Sequence, residues 1–354
     1  MFERIIRFAI DSRWLIMGLV LAMAAIGVYN YQRLPIDAVP DITNVQVQIN
    51  TSAPGYSPLE VEQRITYPVE TVMAGLPGLQ QTRSLSRYGL SQVTVVFQDG
   101  TDIYFARQLV NQRLQEAREG LPEGATPMMG PISTGLGEIY LWTVETEAGA
   151  KKPDGTAYTP TDLREVQDWI IKPQLRQVPG VTEINSIGGF AKEYHITPDP
   201  NRLSSYGLTL ADVVTAVERN NDNTGAGYIE RSGEQLLIRA PGQVRTIEDI
   251  QNTVLKNTDG VAVRIRDVAD VAVGRELRTG AATDNGAEVV LGTVFMLIGE
   301  NSRQVSQLVA EKMVEINKTL PAGVKAVPVY DRTVLVDKAI STVRKNLLEG
   351  AILV

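Results

Sequence analysis

Residues Trp14–Tyr31, WLIMGLVLAMAAIGVYNY, constrain this chain more than any other stretch. The run is 18 residues long, carries no charge, and keeps its only strongly polar residue, Asn30, near its end. As a helix rising ~1.5 Å per residue it spans about 27 Å, close to the ~30 Å of a bilayer core. Arg4, Arg7 and Arg13 precede it and Arg33 follows alone. By the positive-inside rule the N-terminus stays in the cytoplasm and residues 33–340 are held on the other side of the membrane. Trp14, Tyr29 and Tyr31 stand where an aromatic belt is expected. The competing reading is a signal peptide cut near Ala22-Met23-Ala24, but the apolar run continues through Ile26, Val28 and Tyr29. Either way the bulk of the chain is exported.

The far end points the same way. Lys338–Val354, KAISTVRKNLLEGAILV, is a helix pattern that turns purely apolar from Gly350. It reads as the first turns of a second span, and the chain reads as the N-terminal part of a longer protein.

Between these ends the patterning repeats. Val45–Asn50 alternates as a strand does. Ser57-Pro58-Leu59-Glu60 combines an N-cap, a proline at the first helical position and a capping-box acid. This helix runs to about Ala74 and is expected to bend at Pro68. Pro77-Gly78 breaks it, and strands follow near Leu79–Ser86 and Ser91–Phe97. Thr101 or Asp102 then caps a helix with Ile103, Ala106, Leu109, Val110, Leu114 and Ala117 on one face. That order is the split βαβ, or ferredoxin-like, unit. Glu138–Val144 opens a second copy. Thr159-Pro160-Thr161-Asp162 and Pro179-Gly180 each lie 102 residues after their counterparts. The closing half returns as a strand at Val289–Leu297, a helix capped by Asn301 or Ser302, and Leu320-Pro321-Ala322-Gly323. The last element lies 199 residues after Leu121–Gly124 rather than 102, which leaves 97 residues over. An insert of that size makes a small domain of its own. Inside it the patterning predicts a strand at Lys192–Thr197 and a helix from Thr209 to about Arg219. A hairpin around Ser232-Gly233 follows, then a helix from Thr246 to about Lys256. Strands are expected near Val261–Ile265 and Val268–Val273. The fold class is α+β.

Composition narrows the function. The chain has no cysteine and a single histidine, His195, in a strand-like run. Disulfides, thiolate metal sites and a Ser-His-Asp arrangement are excluded. The net charge of −7 argues against nucleic acid and suits cationic substrates. No phosphate-binding glycine pattern occurs.

Four segments carry a resemblance: LPIDAVPDITNVQVQINTSAPGYSPLEVEQ, GLPGLQQTRSLSRYGLSQVTVVFQDGTDIYFARQLVNQRLQEA, GPISTGLGEIYLWTV and YDRTVLVDKAI. Together they closely resemble heavy-metal efflux pumps of the resistance-nodulation-cell division (RND) superfamily, cobalt-zinc-cadmium type, over the N-terminal third of such a pump. The resemblance implies a first transmembrane helix at 1–33 and a porter subdomain at 34–133. A second porter subdomain would comprise 134–187 and 286–331, split by a docking subdomain at 188–285. A second transmembrane helix would begin at 332–354. It further implies an inner-membrane homotrimer, with most of this chain in the periplasm, that exchanges protons for divalent cations. Such a pump hydrolyses nothing, needs no cofactor, and works with a periplasmic adaptor and an outer-membrane channel. Two other readings stand beside it. A membrane-anchored periplasmic adaptor or metal-binding module calls for coiled-coil heptads or a lipoyl-like motif, and neither is found. A pump for organic drugs calls for an aromatic-rich cleft, whereas aromatics are 6% of the chain.

The candidate metal residues follow. Glu138 begins a strand after the glycine-rich GPISTGLG, and by resemblance it opens the porter subdomain that faces the substrate cleft. Its oxygen suits Zn²⁺ and Co²⁺ better than Cu⁺. A solvated strand-end glutamate is the alternative. Asp168 lies off the Leu163–Val166–Ile170 face of its helix, as a second ligand or as the partner of Lys172 one turn on. Met128-Met129 in a Thr-Pro-Met-Met-Gly-Pro turn reads as packing rather than a soft-metal site, and His195 as a structural or surface residue. Asn220–Gln235 is polar and glycine-rich. In the family the matching region reaches into the neighbouring subunit; taken alone it is a hairpin tip.

Overall fold

The computed structural model describes residues 8, 10–33, 43–231, 233–240, 242–258, 260–277 and 280–353. Arg4, Arg7, the proline-rich Leu34–Asp41 exit and the hairpin residue Ser232 lie outside them. Close packing divides the chain into two compact units, one of residues 1–150, 167–186 and 291–354, the other of residues 151–166 and 187–290.

Helix α1 (Arg13–Arg33) is apolar on all sides rather than on one stripe. Its Arg13–Asn30 stretch is long and apolar enough to cross a membrane and has no residue buried against the rest of the chain. It is the one such helix among the described residues.

The first sheet is built from β1 (Gln46–Ser52), β2 (Leu79–Arg87), β3 (Leu90–Phe97) and β4 (Thr126–Met129). Its order is β2-β3-β1-β4, with every pair antiparallel. Two helical segments, α2 (Pro58–Val61) and α3 (Tyr67–Met73), are joined by a π-helical turn at Glu62–Thr66. With α4 (Ile103–Arg118) they cover one face. Val47, Ile49, Val69, Met73, Val93, Val95, Phe97, Val110 and Leu114 form the core between.

The second sheet of this unit contains β5 (Glu138–Thr146), β6 (Val181–Ile187), β14 (Ala287–Met296) and β15 (Val324–Asp331). β6 pairs with β14, β14 with β5 and β5 with β15, which repeats the order of the first sheet. In chain order α5 (Pro160–Glu165) is followed by a π-helical turn at Val166–Ile171 and α6 (Lys172–Leu175), the same succession as α2, its π turn and α3. α11 (Ser302–Asn317) takes the place of α4 and packs on β5 and β15. Both closing strands lie at a sheet edge and both carry a proline, Pro127 and Pro328. Proline has no N–H to offer a further strand, so each edge resists extension.

The π turns correct the sequence reading of these helices. One wide turn precedes each of Pro68, where a bend is expected, and Pro173, and it takes up the missing donor and the ring. The extra residue also re-phases the second helix. Its buried residues include Val166, Gln167, Ile171 and Leu175, so of the expected Leu163–Val166–Ile170 stripe Val166 is buried while Leu163 and Ile170 are half-buried. Met128 and Met129 lie in strand β4, with Met129 opposite Ile49, rather than in a turn.

The second unit contains β7 (Lys192–Pro198), α7 (Pro200–Ser205), α8 (Leu210–Arg219), β8 (Thr224–Arg231), β9 (Glu234–Ala240) and α9 (Ile247–Asn252). β10 (Val254–Thr258), β11 (Val261–Arg264), α10 (Ile265–Val268), β12 (Ala269–Arg275) and β13 (Ala282–Asp284) complete it. β7 pairs with β12, β8 with β9, and β10 with β11. Leu203, Leu208, Val213, Ile250, Val263, Ile265 and Val268 make its core. The helix from Thr246 is shorter than expected, because Val254 and the residues after it pair with β11. The last described helix is α12 (Arg332–Leu353), which carries Arg344, Lys345 and Glu349 and is apolar from Gly350 onward.

Reciprocal capping boxes start four of these helices, at Ser57/Glu60, Thr159/Asp162, Thr209/Asp212 and Thr246/Asp249. The Ser57 hydroxyl and amide hold the Glu60 carboxyl below its usual value, and those of Thr209 do the same for Asp212. The Arg245 amide, then the Thr246 amide and hydroxyl, do so for Asp249. A carboxyl depressed in the folded state stabilises above its unfolded pKa, and that contribution is lost as pH falls through the folded one. The melting temperature of the chain is therefore expected to be level above about pH 5 and to fall below about pH 4. Thr209→Ala is expected to destabilise by about 1 kcal/mol at neutral pH and to flatten that fall. A T209A variant with an unchanged acid profile would sink this account.

Candidate functional site

Glu138 opens β5 directly after a 3-10 turn at Gly135–Gly137. A side chain at Gly137 would come within 3.2 Å of the Met296 carbonyl, so the glycine lets the turn lie against β14. Beyond Glu138 the strand is buried: Ile139, Tyr140, Trp142 and Val144 all face the interior. Glu138 itself is exposed. No hydrogen bond or ion pair holds its carboxylate among the described residues, which leaves both oxygens open to a cation.

Asp168 is held differently. It sits in the π turn, where its Oδ1 accepts from Ser186 Oγ of β6 at 2.6 Å. The neighbouring Gln167 is fully buried, accepts from Trp142 Nε1 at 2.9 Å and donates to Ser186 Oγ at 3.4 Å. The first sheet has its own version of this contact: Thr66 Oγ1 meets Ser86 Oγ at 2.8 Å and Ser91 Oγ at 2.7 Å. Asp168 thus takes part in a polar tie between helix and sheet. No group of three or more His, Asp or Glu side chains is gathered as a metal would require among the described residues. Glu138 and Asp168 are not brought into one cluster with further ligands, and a closed zinc site needs about four.

His195 is exposed on β7, 3.0 Å from the Glu193 carboxylate. Its ring lies over Gly274, where a Cβ would approach it to 2.3 Å. It borders a cleft of about 630 Å³ lined by Lys152, Asp162, Glu165, Lys192 and Arg275 among others. The acids there already have cations: Lys152 Nζ is 3.2 Å from Asp162 and Lys192 Nζ is 3.1 Å from Glu165. The Glu165 contact holds the Lys192 ammonium above its usual pKa. A cleft whose carboxylates are neutralised by lysines is a poor cation site.

The sequence reading passed over the apolar side chains of the β8–β9 ribbon. Tyr228 stands opposite Leu237 and Ile229 opposite Leu236, and all four are exposed. The signal was the LLI run at 236–238 beside a polar, glycine-rich segment.

Comparison with known proteins then places the chain. Residues 5–354 match the model of the AcrB/AcrD/AcrF family. The cation efflux system protein CzcA of Alcaligenes sp. (strain CT14) is 73% identical over 354 residues, all of this chain and 33% of that protein. The cobalt-zinc-cadmium resistance protein CzcA of Cupriavidus metallidurans has the same identity and coverage. The nickel and cobalt resistance protein CnrA of that organism is 45% identical and covered over 35% of its length. The crystal structure of a heavy metal efflux pump superposes with a TM-score of 0.83 at 34% identity, over 96% of this chain and 33% of that one. This chain spans about a third of the length of these relatives. With the whole chain matched in sequence and nearly all of it in structure, it belongs to the AcrB/AcrD/AcrF family of RND efflux proteins.

Proposed function

We propose that this chain is the N-terminal part of a proton-driven pump that exports divalent heavy-metal cations, zinc, cobalt and cadmium foremost. The carrying observation is the 73% identity with cobalt-zinc-cadmium resistance protein across all 354 residues. On this reading α1 is the first span of an inner-membrane protein and most of the chain lies in the periplasm. The recurring strand order supports two ferredoxin-like porter subdomains, residues 34–133 and residues 134–187 with 286–331. Residues 188–285 form the docking subdomain, and 332–354 begin the second span. Three copies assemble and pass cargo to a periplasmic adaptor and an outer-membrane channel.

Each part does physical work in that scheme. The cargo ion favours one state of the porter cleft only as far as it binds that state more tightly. Glu138 offers it one oxygen ligand, and segments of the pump outside this chain supply the others. Asp168 is the weaker candidate, since one of its oxygens is engaged by Ser186. Proton carriers belong on acids inside membrane spans. The Arg13–Asn30 span has none, so the relay falls to other spans.

The test is a chimera in which residues 1–354 replace the matching third of the Cupriavidus cobalt-zinc-cadmium protein. In a host lacking other exporters it is expected to restore growth on zinc, cobalt or cadmium, and collapse of the proton gradient should abolish export. No gain of tolerance to any divalent metal would refute the proposal. Within an active chimera, Glu138→Gln is expected to lower tolerance at least about ten-fold, as loss of a metal-site group does. Asp168→Asn should cost less. Unchanged tolerance in E138Q would take Glu138 out of the cargo path.

A further inference from the structure

β15 passes into α12 with no residue between them: Asp331 ends the strand and Arg332 begins the helix. Strand–helix connections usually spend about 2–6 residues, and that slack lets a helix move independently of its sheet. Here the slack is gone and the junction is tied from several sides. Asp331 Oδ1 accepts from the Thr333 amide at 2.8 Å, which caps the helix, and from Ser306 Oγ of α11 at 2.8 Å. Ser306 is fully buried and also reaches the Ile139 carbonyl at 3.3 Å. Across the sheet Asp331 pairs with Tyr140, whose phenol is pushed up to about 12 by burial and by the Asp331 charge. Arg332 and Val336 are buried, and Arg303 of α11 forms an ion pair with Asp337. Past Asp337 the helix is mostly exposed.

Thr333 departs from this order. Its Oγ1 is closed off from solvent, yet it has no hydrogen-bond partner, alone in this among the buried side-chain polar atoms of the described residues. Native structures rarely leave such a group unmade, because it loses its hydration and gains nothing. Valine has the same shape without that penalty. An acceptor stands two residues away in the chain: the Thr333 amide and the Ser306 hydroxyl both bond to Asp331 Oδ1, and Oδ2 takes no bond among the described residues.

We propose that Thr333 is the positioning residue of a two-state joint between the second sheet and α12. Its hydroxyl is unpaired in the arrangement seen here and bonds to Asp331 Oδ2 in the other. The unmet hydroxyl weakens the present state and the new bond strengthens the alternative. The balance between them, and with it the passage of α12 movement to the sheet, depends on one oxygen. This inference rests on the pump reading above.

Two substitutions in the active chimera separate it from a structural role. Thr333→Val is expected to melt at the same temperature as the parent or higher and to export about five- to ten-fold more slowly. Thr333→Ser, which keeps the hydroxyl, is expected to stay within about two-fold of the parent in export. A T333V protein that exports at the parental rate overturns the joint. So does one that melts lower, because the hydroxyl would then have a partner in this state. A parent chimera that exports no metal defeats the pump reading and this inference together, whereas an active parent with a neutral T333V defeats the inference alone.

Discussion

Gly292→Ala is expected to destabilise the second sheet by about 2–6 kcal/mol. A Cβ at this position would lie 2.2 Å from Cε2 and Cζ2 of Trp142 and 2.6 Å from Nε2 of Gln167. Neither neighbour can step aside cheaply. Trp142 is fully buried, and its indole N–H is committed to Gln167. Gln167 is in turn bonded to Ser186, which is bonded to Asp168. Forcing one methyl into a filled core costs about 1–3 kcal/mol, and breaking a buried hydrogen bond to make room costs about 1–3 more. Thermal melting followed by tryptophan fluorescence reads this, because Trp142 is enclosed while Trp169 is exposed. Trp142→Phe in the same chain supplies the control. It removes the atoms that the new methyl strikes, so the double variant should be much less destabilised than the sum of the two singles. A G292A chain that melts within about 1 °C of the parent would show that the indole has room to spare.

That glycine marks the limit of what the sequence discloses. Ser57 and Thr159, followed by their prolines and acids, announce two helix starts in order, and both are capping boxes in the structure. Such signals are local: cap, proline and acid lie within one turn and need nothing from elsewhere in the fold. Gly292 shows only as an isolated glycine in an apolar strand, a sign of close approach that does not name what approaches. The partner, Trp142, is 150 residues away in sequence. The π turns hide for a different reason. Pro173 predicts disruption of a helix, but whether the helix kinks or widens depends on which side chains the sheet accepts. Widening turned Gln167 inward and so recruited Asp168 to a structural tie. Glu138 was legible as a strand-end carboxylate because strand alternation starts there. Its co-ligands were not, because this chain gathers no acidic or histidine cluster around it among the described residues.

Leu237→Asp is expected to break the proposed trimer into monomers that remain folded. Among the described residues the β8–β9 ribbon has two strands. Tyr228 and Leu237 lie opposite each other on one face, Ile229 and Leu236 on the other. Leu237 is 72% exposed and Tyr228 60%. A two-stranded ribbon is marginal in water, and one that shows large apolar side chains on both faces has a surface to cover. Burying four such side chains contributes roughly 6–12 kcal/mol before the costs of association are subtracted. Leu237→Asp removes one anchor and places a charge where burial is needed. A loss of about 3 kcal/mol weakens each contact by a factor of about 100 or more. A ring of three closes through three such contacts, so the loss compounds. The isolated chain should melt as before, because Leu237 is absent from the core of Leu203, Val213, Ile250 and Ile265. Sedimentation of the detergent-solubilised chimera is the measurement, with Glu230→Ala, a charged position of the same ribbon, as the variant expected to stay trimeric. An L237D protein that sediments as a trimer would mean that the ribbon's apolar faces meet something other than a neighbouring subunit. Monomers that still confer full metal tolerance would cut the link between assembly and export.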